Sequence, residues 1–377
     1  MFDYAARRRR LYERMEAEGV AALFVPPSAD LEYLAGVERQ IPSFGQSSYA
    51  HGWASGGLFV PASDPVFVFP RMFVTFDLPV QPEGELVVVN ETDDGDSVFA
   101  RAMSSIPANG KVAVGDRIWG EALLHLGGVV GFDRLTTGSR LVNDLRRVKD
   151  AAELAAMGRA IATVEQTMAA VTPLVQPGVS MGELAEATDA ALRHAGSRCP
   201  SFTTHMFTNF GPGELDSGLE TSRTPIPEGT SVMFDFGGVV DGYCSDFGRT
   251  IYCGDPPQEV RDVYDVMLAA HGAGLAAASA GTPARDVNAA CRRPIEDAGL
   301  GEHFRHRMGH GIGMDVHERP FLSGEDTTPL EPGMTFTDEP SVMWSGRFGV
   351  RIEDIIVCEE TGGRRLNSYP TELRSSA

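Results

Sequence analysis

MFDFGGVVDGYCSDFGRT, residues Met233–Thr250, is the stretch from which the fold can be read. It lies within Ser231–Tyr252, where two apolar runs meet at Val240-Asp241-Gly242. An Asp-Gly pair between such runs signals a two-residue hairpin turn. With Asp241 and Gly242 at the centre of the turn, Asp235 falls opposite Gly248, and Asp246 lies two positions away on the diagonal. Side chains alternate along a strand, so both carboxylates share one face, within reach of a common ion. Asp235 follows Val232-Met233-Phe234, an apolar setting in which a lone charge is costly unless paired or bound to a metal. Two solvent-facing aspartates are the plainer alternative, and the flanking apolar residues argue against it.

A second hairpin, Met334–Cys358, repeats the arrangement. A loop centred on Gly346 sets Glu339 directly opposite Glu353, again on one face. Opposed like charges destabilise a sheet unless something cationic lies between them. Arg351, on the face of Glu353, is one such cation, and a metal ion is the other. Two carboxylate pairs plus one imidazole make a set of hard ligands suited to Mn, Co or Zn. The imidazole is sought in Gly309-His310-Gly311-Ile312-Gly313, followed by His317 and Glu318. Glycines on either side of a histidine let the backbone crowd close to a site. Taken alone, this string fits a buried, hydrogen-bonded histidine equally well. His303 and His306 are read as part of a solvated segment.

Around these hairpins the chain of 377 residues is long enough for two or three domains. The first 149 residues read as a mixed α/β unit. Tyr4–Glu18 has helical amphipathic spacing, Val20–Val25 is a short buried strand, and Ser28 caps a second helix. Apolar runs follow at Gly57–Val60, Val66–Phe69, Leu86–Val89 and Val112–Val114, separated by Pro, Gly and Asp clusters. A boundary is expected near Lys149, giving domains 1–149 and 150–377. Asp150 with Glu153, and Ser180 with Glu183, form capping boxes that open two helices. Pro257–Ala280 is a further helix, and Thr282-Pro283 opens another, with proline expected at the first helical position. Helices mixed with hairpins imply an α+β second domain.

The net charge of −20 disfavours nucleic acid and anionic lipid as partners. No apolar run is long enough to span a membrane. Arg7–Arg10 precede an acidic amphipathic stretch, which does not resemble a signal peptide. Five cysteines without a CxxC pair favour reduced thiols and a cytoplasmic location.

Asp235, Asp246, His310, Glu339 and Glu353 follow one another at gaps of 11, 64, 29 and 14 residues. That order, with GHGIGMDVHERP, FTDEP and GVRIED, resembles the creatinase/prolidase/methionine aminopeptidase superfamily, and the spacing is most similar to prolidases. LYERMEAEGVAALFVPPSADLEYLAGV (Leu11–Val37) and LRRVKDAAELAAM (Leu145–Met157) extend the resemblance over nearly the whole chain. It implies a "pita-bread" α+β catalytic domain behind a smaller creatinase-type α/β domain, and a homodimer. It further implies two divalent metal ions bridged by Asp246 and Glu353, one completed by Asp235 and the other by His310 and Glu339. A metal-bridging water would be the nucleophile, Glu339 would shuttle its proton, His317 would contact the scissile carbonyl, and Arg351 would steady the charges. The implied reaction is cleavage of an amide bond in Xaa-Pro-type peptides. Tyr49, His51 and Trp53 are candidates to cover a partner's site, or else an ordinary loop on their own domain.

One departure bears on the substrate. Prolidases usually carry a substrate-binding histidine about 17 residues before the first ligand aspartate, whereas Glu214–Glu220 reads ELDSGLE. Three carboxylates there would repel a free C-terminal carboxylate, so weak activity on free-acid Xaa-Pro dipeptides is expected. His205, further upstream, is assigned to the core or surface. Hydrolysis of a small non-peptide amide or cyclic amidine, as in ectoine hydrolase or creatinase, is therefore an alternative. A lyase on the same fold, like the dimethylsulfoniopropionate-cleaving relatives, and a metal-free binding module are further ones. Gly178-Val179-Ser180-Met181-Gly182 matches a serine-hydrolase string, but Pro173 and Pro177 break the required strand and Ser180 already serves as a cap.

Overall fold

The computed structural model describes residues 2–39, 49–208, 217–218, 223 and 225–376. It divides into two compact units, Met1–Arg146 and Arg147–Ala377. The division precedes the boundary read at Lys149 because the intervening residues bond to the second unit. Lys149 N donates to Gly333 O, and Arg147 pairs with Glu331 at 2.6 Å.

The first unit is a six-stranded mixed sheet with helices. Its strands are β1 (Val20–Val25), β2 (Gly56–Phe59), β3 (Val66–Pro70), β4 (Glu85–Val89), β5 (Lys111–Val114) and β6 (Leu135–Thr137), in the order β4-β3-β2-β1-β5-β6. The run β1-β2-β3 is antiparallel, and the outer pairings are parallel. The helices are α1 (Tyr4–Ala17), α2 (Ala29–Ala35), α3 (Arg71–Phe76), α4 (Gly95–Ala102), α5 (Gly120–Val130) and α6 (Ser139–Arg146). Ser28 Oγ caps α2 by accepting from Leu31 N, as its position implied. Trp53 packs within this unit, its ring stacked 3.7 Å from His125 and edge-on to Phe99. Tyr49 donates to Asp77 at 2.7 Å.

The second unit carries the site. Its helices are α7 (Ala151–Val171), α8 (Met181–His194), α9 (Gln258–Ala277) and α10 (Ala284–Asp297). Both expected capping boxes are present, and Ser180 Oγ is engaged with Glu183. Pro257 and Pro283 are N-caps, so α9 and α10 each begin one residue later than read. Proline suits either place, since its missing N–H leaves no donor unsatisfied at a helix start.

One sheet takes the order β20-β12-β9-β7-β8, from β7 (His205–Thr208), β8 (Ser217–Gly218), β9 (Thr230–Phe236), β12 (Phe247–Cys253) and β20 (Arg374–Ser375). Between β9 and β12 lies the small ladder of β10 (Val239–Val240) and β11 (Tyr243–Cys244). The other sheet runs β14-β13-β15-β18-β19, from β13 (Gly309–Gly311), β14 (Glu318–Leu322), β15 (Thr335–Asp338), β18 (Asp354–Cys358) and β19 (Gly363–Arg365). Strands β16 (Ser341–Trp344) and β17 (Phe348–Arg351) form a ribbon that leaves it. Each sheet is backed by one helix pair. Val164, Met168, Leu184 and Leu192 pack on Met206, Phe234, Phe236 and Phe247. Met267, Val287 and Cys291 pack on Met308, Phe336 and Ile356. Burying these side chains supplies the main drive to hold both sheets in place. The sheets meet where Gly248 and Glu353 bridge, Glu353 N donating to Gly248 O at 2.9 Å.

Candidate metal centre

The hairpin turn forms as the Asp-Gly pair requires. Asp241 and Gly242 have φ of 51° and 80°, the left-handed geometry whose twist matches the flanking strands. Asp235 pairs with Gly248. A Cβ on Gly248 would lie 2.9 Å from both Arg351 Nε and Glu353 Oε2, so only glycine admits these side chains here. In the second hairpin one register runs from Thr335↔Val357 through Asp338↔Asp354 to Ser341↔Arg351, and it carries Glu339 across from Glu353.

These elements converge. Asp246, His310 and Glu353 are buried, and each offers a ligand atom within 4.8 Å of those of the other two. His310 Nε2 lies 3.4 Å from Asp246 Oδ2 and 3.6 Å from Glu339 Oε1. Arg351 reaches into the same space, donating from Nη2 to Glu339 at 2.8 Å and to Glu353 at 2.7 Å. Its Nη1 stands 3.3 Å from Asp235. The His317 ring is 4.1 Å from that of His310. The seven residues singled out from the sequence thus form one cluster.

Asp235, Glu339 and Glu353 all stand within 3.3 Å of one guanidinium, and the crowding shifts Asp246, Glu339 and Glu353. Burial, then the charges of Asp235 and Glu339, push Asp246 well above the usual carboxylate range. Burial also raises Glu353 well above that range, and Arg351 offsets only part of it. For Glu339, burial is outweighed by Arg351, His310 and His306, which hold its carboxyl below the ordinary value. Burial and the neighbouring His310 lower His317 to about 4, so it is neutral at physiological pH.

The residues fit a cation. Asp246 Oδ1 and Glu353 Oε1 are buried and accept no hydrogen bond. Buried acceptors without partners are costly, and a divalent ion would satisfy both. The donor set is carboxylate and imidazole, and the five cysteines, free and buried, do not enter the three-residue cluster.

Several neighbours were not legible as site residues. His306, read as part of a solvated segment, is 28% exposed but also makes inward contacts. Its Nδ1 bonds Arg307 O at 2.7 Å, its Nε2 bonds Ser341 Oγ at 2.5 Å, and Glu339 lies 3.9 Å away. The side chain folds inward because β16 passes over it. Thr337 Oγ1 accepts from His310 N and donates to Glu339 Oε1, tying a ligand histidine candidate to a ligand glutamate candidate. Gly309 makes this approach possible, for a Cβ there would fall 1.9 Å from Thr337 O. His205, expected in the core or on the surface, is partly exposed on β7 and pairs with Asp235 across the ladder. The side chains of Glu214–Glu220 lie outside the described residues.

Metallopeptidase family M24 matches residues 155–360. The chain belongs to this family. Over its two units the M24 chain is 32% identical to the probable dipeptidase PepE of Mycobacterium tuberculosis, covering 98% of this chain and 96% of that protein. It is similar in structure to a prolidase from Thermococcus sibiricus, with 27% identity, a TM-score of 0.87 and full coverage of both chains. Dipeptidase PepE from Mycobacterium ulcerans is 30% identical, with a TM-score of 0.81 over 100% of this chain and 99% of that one. The pita-bread fold and a metal-dependent hydrolase activity follow from this membership.

Behind this cluster the M24 chain carries a second charged layer. Asp338 and Asp354, each next to a ligand glutamate candidate, face the other side of the sheet. His271 on α9 stands 3.2 Å from Asp354 and 3.9 Å from Asp338. Arg249 donates to Asp354 at 2.7 Å. Burial raises Asp338 to about 7, with His271 opposing the shift. Lys149 Nζ meets Glu318 at 3.0 Å in an almost fully buried pair directly after His317.

Proposed function

We propose that this chain is a dinuclear-metal hydrolase that cleaves an amide bond of Xaa-Pro-type peptides. The observation that carries the reading is the convergence of Asp246, His310 and Glu353, with orphaned carboxylate oxygens, inside an M24 fold. The name Xaa-Pro dipeptidase, borne by a Pyrococcus furiosus relative at 30% identity, supports the substrate class. In this reading Asp235, Asp246, His310, Glu339 and Glu353 hold two ions of Mn, Co or Zn. Bound divalent ions supply Lewis-acid polarisation and make water acidic enough to attack at neutral pH.

The protein's own groups do the remaining work. Glu339, kept ionised by Arg351, accepts the proton of the attacking water and passes it to the leaving nitrogen. His317 is neutral, so it donates a hydrogen bond to the carbonyl oxygen as negative charge develops there. Arg351 fixes the orientation of Glu339 and Glu353 and offsets their charge.

The reading includes a cytoplasmic homodimer in which 1–149 is the creatinase-type domain and 150–377 the catalytic one. The absence of histidine from Glu214–Glu220 favours a second reading, hydrolysis of a small amide. One screen separates the two. Mn- or Co-loaded protein is assayed against Xaa-Pro dipeptides, other dipeptides and small cyclic amides. Turnover of the dipeptides carries the first reading, and turnover confined to cyclic amides replaces it.

A further inference from the structure

The ladder between β15 and β18 ends on a pair of aspartates. Asp338 is the last residue of β15 and Asp354 the first of β18, and the register sets them directly opposite one another. Beyond this rung the two strands part. Glu339 N donates to Met308 O and Glu353 N to Gly248 O, each at 2.9 Å. The last cross-strand tie behind both glutamates is therefore the Asp338–Asp354 rung.

That rung is costly to hold closed. Both aspartates are fully buried, and like charges directly opposed in a sheet push its strands apart. Arg249 and Arg365 compensate Asp354, at 2.7 and 3.4 Å. Asp338 pairs with neither, and its two oxygens accept no hydrogen bond. His271 on α9 is what faces it. The ring Nε2 stands 3.9 Å from Asp338 Oδ2 and 3.2 Å from Asp354 Oδ2, with only 7% of the side chain exposed. Burial by itself lowers the basicity of this imidazole, and the two aspartates more than restore it. One ring nitrogen is thus the charge partner of both carboxylates.

The helix reaches this position because of Gly274, three residues further along the same face. A Cβ on Gly274 would fall 3.0 Å from both Asp338 oxygens and 2.4 Å from Met308 Cε. Helix α9 therefore presses on the aspartate rung and on the residue that accepts from Glu339 N. No hydrogen bond or ion pair joins His271 to Glu339 or Glu353, so any action on them passes through the aspartates.

Resting on the two-metal reading of the centre, we propose that His271 is a positioning residue. By drawing Asp338 and Asp354 to one ring nitrogen, it closes the last rung of the ladder and fixes the separation of Glu339 and Glu353 for the ions.

The test measures Mn binding by calorimetric titration of the metal-free protein, and the visible spectrum after loading with Co. The proteins are wild type, His271→Leu, Asp338→Asn and Asp338→Asn/His271→Leu. Leucine keeps buried bulk and removes the charge partner. His271→Leu is expected to weaken Mn binding about tenfold and to alter the Co spectrum. With Asp338 already neutralised, the same substitution should cost less than about threefold. Met267→Ala, one turn earlier on α9 in the same core, is the packing control. It lowers stability and keeps the wild-type Mn affinity and Co spectrum.

Wild-type affinity and spectrum in His271→Leu overturn the proposal. So does an equal loss with and without the Asp338 carboxylate, or an equal loss in Met267→Ala, since either makes His271 a packing residue. If His271→Leu does not fold, the double variant decides. Mn binding within about threefold of Asp338→Asn supports the proposal, and failure of the double variant to fold overturns it. Absence of Mn binding by the wild type brings down the two-metal reading and this inference together, whereas equal Mn binding by all the proteins overturns this inference alone.

Discussion

Arg351 and Glu353, two residues apart on one edge of the second hairpin, are joined by two hydrogen bonds, from Nη2 at 2.7 Å and Nε at 3.1 Å. The guanidinium also bonds Glu339 and stands near Asp235, so in the absence of cations it is the main compensating charge. Arg351→Met should therefore destabilise the metal-free protein far more than the metal-loaded one. Removing one partner of a buried charged cluster costs about 3–5 kcal/mol, and bound divalent ions would offset much of it. Melting curves with and without Mn check this. An equal loss in both states would show that Arg351 is a packing residue only.

Asp246→Ala should abolish turnover and lower metal stoichiometry while leaving the fold intact. Asp246 contributes to the three-residue cluster and holds an oxygen with no protein partner, so its loss opens the site without breaking an internal hydrogen bond of that atom. Elemental analysis, activity and circular dichroism on one preparation decide it. Full metal content in the variant would place the ions elsewhere.

His317→Ala should retain its metals and lose about 100-fold in kcat, the scale of one lost donor to a developing oxyanion. The neutral ring also sets a pH dependence in the metal-free protein. Its folded pKa of about 4 lies below the unfolded value near 6.5, so the unfolded chain binds more protons between those limits. Stability contributed by neutral His317 is present above about pH 6.5 and is lost as the pH falls towards 4. Denaturant titrations at several pH values should show a shallower decline between pH 6.5 and 4 for His317→Ala than for wild type.

Lys149→Met should lower both stability and turnover. The lysine neutralises Glu318 in a buried pair, and Glu318 also accepts from Asp315 N at 3.0 Å, shaping the loop that delivers His317. An unpaired buried carboxylate costs on the order of 3–5 kcal/mol. Lys149→Met/Glu318→Gln, which removes the stranded charge, should recover part of the stability but not the turnover. A recovery of both would mean that the loop holds its shape without the pair.

Much of this centre was legible in the sequence because local rules fix a hairpin. The Asp241-Gly242 turn sets its own register, and alternation then dictates that Asp235 and Glu353 share their faces with their partners. Glu339 and Arg351 follow from the same arithmetic around Gly346. The capping boxes of α7 and α8 were readable for a like reason, since cap and partner lie three residues apart. His205 was not, because its place depends on how β7 pairs with a strand some thirty residues away, and no turn rule reaches that far. His306 escaped for another cause. Neighbours Arg305 and Arg307 give its segment a polar look, while β16 folds Ser341 onto its ring.

The alternation of Glu339 with Asp338, and of Glu353 with Asp354, imposes a parity rule on this hairpin. A single inserted or deleted residue within either strand turns every side chain beyond it to the opposite face. An insertion ahead of Asp338, or a deletion ahead of Glu353 on the returning strand, would give the centre aspartate in place of glutamate, with the same charge but one methylene less reach. Net charge and hydropathy would barely register the change. Length changes that preserve the centre are therefore expected only in the turn around Gly346 or in steps of two residues.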